Sequence, residues 1–110
     1  MKTELRYGII GAGSMGREHI ENIKVMGGAV VTAISDPHKP SQDAALAMAP
    51  GAKVFTDHRA LLDSGLIDAV IIATPNDTHA AVLKDALATD LAVFVEKPLA
   101  TTVEDLKSIL

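Results

Sequence analysis

The sequence contains no cysteine, and aromatic residues make up only 3% of it. The absence of cysteine excludes disulfide bonds, thiolate metal sites and a cysteine nucleophile. With so few aromatic rings the core must be aliphatic, which is typical of parallel β-strands rich in valine, isoleucine and alanine and covered by helices. No apolar run approaches the roughly 18 residues that cross a membrane, so a membrane partner is not expected.

Charge is also modest, with a net charge of −4 and no run of basic residues. Such a chain has little electrostatic attraction for nucleic acids or anionic membranes, and neither is an expected partner. The first four residues lead directly into an apolar segment without a signal peptide, which predicts a cytoplasmic protein. The 110 residues suffice for one domain, but not for a nucleotide domain and a substrate domain together.

Short apolar segments alternate with helical segments along the chain. Strands are predicted at residues 5–10, 30–35, 53–56, 68–73 and 91–95. Helices are predicted at residues 14–26, 41–49 and 79–88, and Asp57 is predicted to cap a helix that runs to Ser64. A further helix begins at a capping box in residues 101–104. This alternation predicts an α/β fold with a doubly wound parallel sheet, and the glycine-rich turn after the first strand selects the Rossmann strand order 3-2-1-4-5.

Helical spacing also predicts which side chains face the sheet. Met15, His19 and Ile23 recur every four residues on one face of the first helix. By the same spacing, Leu83 and Leu87 are expected to face inward from the helix at residues 79–88.

The histidines do not form a metal site by spacing. His19 is interpreted as a packed helix residue, and His38 and His58 are interpreted as surface or turn residues. Because the four histidines do not cluster at the spacing of metal ligands, no metal is predicted.

The first turn has the pattern G-x-G-x-x-G, from Gly11 through Gly13 to Gly16. It follows a predicted strand and opens a predicted helix, which is the context that a dinucleotide site requires. Gly11 allows the tight turn, Gly13 lets the backbone approach a phosphate, and Gly16 lets the helix pack closely on the strand. The alternative is an ordinary glycine-rich turn; the dinucleotide interpretation places a pyrophosphate at the helix N-terminus.

Asp36 ends the second predicted strand, twenty residues after Gly16. A carboxylate at this point can accept both hydroxyls of an adenosine ribose and repels a 2′-phosphate, which predicts NAD over NADP. The alternative is that Asp36 only caps the turn before Pro37. His38 and Lys39 are nearby basic residues that would suit NADP.

Polar residues also follow the fourth predicted strand, at the edge where open α/β sheets bind ligands. Thr74 and Pro75 are placed to face a ligand there. Asn76 or Asp77 can instead act as the N-cap of the helix that follows.

Glu96 and Lys97 follow the fifth predicted strand at the same edge. Because side chains alternate along a strand, the two point to opposite sides, so one can reach a cofactor while the other reaches a substrate. The alternative for a charged pair at a strand end is solvated surface.

Three motifs together resemble the N-terminal domain of the Gfo/Idh/MocA family, the relatives of glucose–fructose oxidoreductase and inositol dehydrogenase. They are the G-x-G-x-x-G turn followed by His19, the segment from Ala73 to His79 that reads A-T-P-N-x-x-H, and the Glu-Lys-Pro at residues 96–98. The resemblance runs nearly end to end, and the second and third motifs are more specific than the glycine turn.

The resemblance implies a role for each matching residue. The pyrophosphate would be lined by Gly11, Gly13, Ser14, Met15 and Gly16, with Asp36 on the adenosine ribose. The nicotinamide side would be lined by Thr74, Pro75, Asn76 and His79. Glu96 would contact the nicotinamide ribose. Lys97 would bind the substrate hydroxyl or carbonyl and help its proton move during hydride transfer; its bond to Pro98 is often cis in such proteins.

The resemblance also implies a second domain, absent from these 110 residues, that supplies most of the substrate pocket. Sugars, cyclitols and their keto forms are the commonest substrates in the family, and a homo-oligomer is expected. The expected function is therefore the nucleotide-binding domain of an NAD(P)-dependent oxidoreductase that acts on such hydroxyls or carbonyls. The alternative is a non-catalytic dinucleotide-binding sensor, against which the presence of Lys97 argues. The helix that begins at residue 101 is interpreted as cut within its apolar stripe.

Overall fold

The computed structural model describes residues 4–74 and 79–95, in which strands and helices alternate. The strands are β1 (Leu5–Ile10), β2 (Ala29–Ser35), β3 (Lys53–Phe55), β4 (Ala69–Ile72) and β5 (Ala92–Val95). The helices are α1 (Ser14–Met26), α2 (Lys39–Met48), α3 (His58–Leu62) and α4 (His79–Leu87). The helix predicted from residue 101 lies outside the described residues.

The strands form one parallel sheet in the order β3-β2-β1-β4-β5, which confirms the predicted doubly wound topology. β1 is central, and its Ile9 pairs with Ile34 of β2 on one side and with Ile71 of β4 on the other. The chain therefore reverses its direction of winding between β1 and β4. In such sheets this switch point, at the carboxyl ends of the strands, is where ligands bind.

Aliphatic side chains fill both faces of the sheet, as the composition requires. All four residues of β4 are buried, whereas β5 at the end of the described sheet alternates between exposed and half-buried. The largest fully buried side chains are Ile9, Ile10, Ile20, Ile34, Leu61, Val70 and Ile72. Burial of each contributes roughly 1.5–3 kcal/mol before the entropy of ordering is subtracted.

Helix and strand ends differ modestly from the predicted ones. β1 and α1 begin and end where predicted, but α2 begins at Lys39 and not at Ser41. Pro40 does not prevent this earlier start, because the N–H groups of a first helical turn have no intrahelical partner to lose. The other bounds shift by one or two residues.

The predicted inward face of α1 is wrong by one residue. The buried residues are Gly16, Ile20 and Ile23, whereas Met15 is 46% exposed and His19 is half-buried. The cause is the close contact of Gly16 with the turn that precedes α1, which fixes the rotation of the helix. Ile23 is the one member of the predicted face that is buried.

The predicted face of α4 is half right. Leu83 is buried, but Leu87 is 53% exposed. The buried stripe of α4 also contains Val82 and Ala86, so its centre lies away from Leu87, which is the last residue of the helix.

Candidate dinucleotide-binding site

A cavity of about 570 Å³ opens at the carboxyl ends of β1, β2 and β4. It is lined by Gly11, Gly13, Ser14, Met15, Asp36, Pro37, His38, Ser41, Ala73 and Thr74. Residues that are distant in sequence and were predicted to bind one ligand therefore meet at one place. Gly16 stands behind the cavity, in the contact between α1 and the turn.

The glycine turn is built by backbone contacts that allow no side chain at two positions. Gly11 has a φ of +96°, and a Cβ there would lie 2.6 Å from the carbonyl carbon of Ala73. A Cβ on Gly16 would lie 1.8 Å from the carbonyl oxygen of Gly11. Real Cβ atoms do not approach backbone so closely, so these two glycines are needed by the fold itself.

Gly13 is different, because a Cβ there would meet no atom of the described residues within 4 Å beyond its own chain neighbours. Gly13 is the N-cap of α1, makes no side-chain cap, and is followed by a first turn without an acidic residue. The first N–H groups of a helix have no intrahelical partner and carry a partial positive charge. The open backbone at Gly13 therefore fits the pyrophosphate of a dinucleotide.

Two backbone hydrogen bonds hold the carboxylate of Asp36 at the wall of the cavity. Its Oδ2 accepts from the backbone N–H of Ala12 at 2.7 Å, and its Oδ1 accepts from the backbone N–H of His38 at 2.8 Å. Asp36 thus caps its own turn and also lines the cavity, so the two interpretations from sequence are compatible. Each carboxylate oxygen keeps a second lone pair for a ribose hydroxyl.

The basic residues next to Asp36 bond along α2. Lys39 Nζ lies 2.8 Å from Asp43 Oδ1, one turn further along the helix, and both side chains are exposed. His38 Nδ1 lies 2.9 Å from Ser41 Oγ. The Asp36 carboxylate lines the cavity next to them, and a carboxylate favours ribose hydroxyls over a 2′-phosphate.

Thr74, just after β4, carries an unusual polar atom. Its Oγ1 is buried and has no hydrogen-bond partner among the described residues. Ala73 before it donates its N–H to the carbonyl of Ile10 at 2.7 Å, which fixes the backbone there. A buried hydroxyl without a partner costs about 1–3 kcal/mol, so this atom fits a polar group of a bound cofactor.

A second cavity of about 400 Å³ adjoins the first and shares Pro37 and Thr74 with it. His58 lines it and lies 2.7 Å from Asp85 of α4, between Nε2 and Oδ2. His58 is interpreted from the sequence as a surface or turn residue; the structure places it in the first turn of α3, half-buried, with its side chain 22% exposed. No local pattern reveals a pair whose members are 27 residues apart.

Several predicted site residues lie outside the described residues: Pro75, Asn76, Glu96, Lys97 and the Lys97–Pro98 bond. For His79 only the backbone is described, as the first residue of α4. Val95, which precedes Glu96, pairs with Ile72 of β4, two residues before Thr74.

Across residues 4–74 and 79–95, no three histidine, aspartate or glutamate side chains gather to hold a metal ion. In the same ranges, no helix has the length and apolar character to cross a membrane.

The sheet order, the glycine turn at a helix N-terminus and the carboxylate at the end of β2 define a Rossmann domain that binds a dinucleotide. Residues 5–110 match the model of the Gfo/Idh/MocA proteins, described as an oxidoreductase family with an NAD-binding Rossmann fold. The chain belongs to this family, and its Rossmann domain is of the NAD-binding kind.

Similar proteins include dehydrogenases of cyclitols. The chain is 46% identical over 97 residues to an inositol 2-dehydrogenase of Leifsonia xyli, covering 87% of this chain and 28% of that protein. It is 41% identical over 108 residues to an inositol 2-dehydrogenase/D-chiro-inositol 3-dehydrogenase of Lacticaseibacillus casei, covering 96% and 31%. The chain therefore spans about a third of the length of these relatives.

Solved structures agree with the fold. The myo-inositol dehydrogenase from Lactobacillus casei, in complex with NAD(H) and myo-inositol, superposes with a TM-score of 0.92 at 40% identity, covering 97% of this chain and 32% of that one. The WlbA dehydrogenase from Bordetella pertussis, in complex with NADH and UDP-GlcNAcA, gives a TM-score of 0.87 at 30% identity, covering 97% and 33%.

Proposed function

We propose that this chain is the NAD-binding domain of a dehydrogenase that oxidises a ring hydroxyl of a cyclitol or related sugar. The observation that carries the proposal is the Asp36 carboxylate, fixed by two backbone N–H groups beside an uncapped helix N-terminus. The similarity to inositol dehydrogenases supports the substrate class.

Each part of the site has a proposed task. Gly11, Gly13, Ser14, Met15 and Gly16 hold the pyrophosphate, and Asp36 holds the adenosine ribose. Thr74 supplies its hydroxyl, which has no partner among the described residues, on the nicotinamide side, together with Pro75, Asn76 and His79. Glu96 contacts the nicotinamide ribose.

Held by these residues, NAD would supply the acceptor for the hydride that the substrate carbon loses. Lys97 binds the reacting oxygen and takes up the proton that the hydroxyl loses. Proton transfer thus accompanies the loss of hydride from the carbon that bears the hydroxyl. We further propose that a second domain encloses the substrate, which the greater length of the relatives supports. Enclosure matters because hydride transfer needs the reacting atoms held in contact.

We also propose that the protein is a homo-oligomer. β5 ends the described sheet, and Phe94 on it is 53% exposed. An exposed apolar ring of this kind favours contact with another chain. A cytoplasmic location remains a prediction from the sequence.

The test is NADH formation from myo-inositol by the protein containing this domain, followed as nicotinamide absorbance. Lys97→Ala should lower turnover by roughly a hundredfold or more while NAD still binds. Turnover close to that of the unsubstituted protein would remove Lys97 from this role. Failure to oxidise any cyclitol or sugar would contradict the substrate class.

A further inference from the structure

The imidazole of His58 lies between two carboxylates. As the first residue of α3, His58 places Nε2 at 2.7 Å from Asp85 Oδ2 and Nδ1 at 3.6 Å from Asp57 Oδ1. A carboxylate only accepts hydrogen bonds, so Nε2 carries the hydrogen and donates it to Asp85. The pair therefore joins the start of α3 to α4 by a defined contact.

The remaining charged group at this cluster, among the described residues, is Arg59. Its Nε donates to the same Oδ2 of Asp85 at 3.2 Å, but its side chain is 71% exposed. The hydrogen bond from His58 is the largest cause that lowers the pKa of Asp85; the bond from Arg59 adds to it, and burial opposes both. Asp85 is thus held as a charged acceptor for both donors.

The joined helices form two walls of the second cavity. Thr56, Asp57 and His58 line one wall, and Ala81 and Val82 of α4 line the other. α3 has only five residues, and helices so short are not stable alone, so its position depends on what it contacts. Breaking the bond between His58 and Asp85 would let this wall move.

The proposed placement of the cofactor indicates which part of it the second cavity would hold. In this placement the pyrophosphate lies at the glycine turn and the ribose lies at Asp36. The adenine is bonded to that ribose, so it lies next to Asp36. The second cavity begins there, since Pro37, which follows Asp36, lines both cavities. Its lining is largely apolar, with Ile10, Pro37 and Val82, as suits the face of a base.

We propose that His58, held by Asp85, is a positioning residue for the adenosine half of NAD. This inference rests on the proposed placement of the cofactor. His58 keeps the α3 wall of the second cavity at the distance that the base needs, and the affinity for NAD depends on that wall.

The experiment measures dissociation constants for NAD and for ADP-ribose, which lacks the nicotinamide, by calorimetry on the whole protein. His58→Ala removes the hydrogen bond between His58 and the Asp85 carboxylate. This loss should weaken the binding of both ligands by the same factor, about tenfold. His58→Leu keeps the side-chain volume without a donor and should show the same loss. His58→Gln can still donate to Asp85 and should restore most of the affinity.

Arg59→Ala is the matched control, because Arg59 bonds to the same oxygen of Asp85 but does not line the cavity. It should change either dissociation constant less than twofold. The inference is overturned if His58→Leu binds NAD like the unsubstituted protein, if Arg59→Ala loses as much, or if His58→Gln is no better than His58→Leu. If the unsubstituted protein binds neither ligand, the proposed cofactor site is itself overturned, and the inference fails with it.

Discussion

The two halves of the proposed cofactor site are built in different ways. Around β1 and β2 the site consists of backbone: a glycine turn, a helix N-terminus, and a carboxylate held by the N–H groups of Ala12 and His38. Around α3 and α4 it consists of side chains that meet across the fold, with His58 against Asp85. A backbone site depends on residues that allow a conformation, whereas a side-chain site depends on two particular residues being present together.

The largest expected effect comes from closing the glycine turn. Gly16→Ala places a Cβ 1.8 Å from the Gly11 carbonyl oxygen. Because this oxygen belongs to the backbone, the clash can be relieved only if the turn or the helix shifts. We expect a loss of about 3 kcal/mol or more in unfolding free energy, and NAD binding too weak to measure. Thermal unfolding and calorimetry check both. Gly51→Ala, where a Cβ meets open space, is the control and should unfold like the unsubstituted protein; equal stability of Gly16→Ala would show that the turn can adapt.

Gly13→Ala separates binding from folding within the same turn. Among residues 4–74 and 79–95, a Cβ at residue 13 meets no atom within 4 Å other than its chain neighbours, so the unfolding temperature should hardly change. It would occupy the space proposed for the pyrophosphate, and NAD affinity should fall roughly ten- to hundredfold. Unchanged affinity in a titration would move the pyrophosphate away from this turn.

Asp36→Ala tests the carboxylate that the backbone holds. It removes the acceptor for Ala12 and His38 and the partner of the ribose hydroxyls, so NAD affinity should fall about tenfold and the preference over NADP should disappear. Asp36→Asn keeps an acceptor oxygen without the charge; it should retain more NAD affinity while discriminating poorly against NADP. Parallel titrations with both cofactors measure this, and an intact preference in Asp36→Ala would refute the assignment.

The smallest expected effect concerns acid stability on the side-chain half. Hydrogen bonds from His58 and Arg59 lower the pKa of Asp85 below the ordinary 3.8, so Asp85 stabilises the fold above that pH and stops doing so as the pH falls through its folded pKa. Unfolding temperatures measured downward from pH 5 should therefore fall less steeply in Asp85→Asn.

Asp68 serves as the comparison for Asp85. Hydrogen bonds from Arg6 lower the pKa of Asp68 as well, but this pair lies away from both cavities, between β1 and the start of β4. Asp68→Asn should likewise reduce the fall of the unfolding temperature below pH 5, and it should leave NAD affinity unchanged. A matching loss of NAD affinity in both variants would mean that general stability, and not the wall of the second cavity, governs binding.

The contrast between the backbone half and the side-chain half of the site also explains what could be predicted from the sequence. The glycine turn and Asp36 are visible because each residue type is required by local backbone geometry, and the alternation of apolar segments determines the sheet order. The rotation of α1 was missed because it depends on one contact of Gly16. The pairing of His58 with Asp85 was missed because only the packing of α3 on α4 brings them together.

The position of β1 in the middle of the sheet has a consequence for synthesis of the chain. β2 follows β1 after a single helix, so the unit of β1, α1 and β2 can assemble early with Asp36 already beside the turn. β4, the other neighbour of β1, leaves the ribosome much later, so the pairing of Tyr7 with Ala69 forms only then. Until then the central strand has an open edge, available to wrong partners. Because Thr74 comes two residues after the end of β4, we expect the cofactor pocket to be completed among the last parts of the domain. We expect the cofactor to protect the nascent chain only after that point.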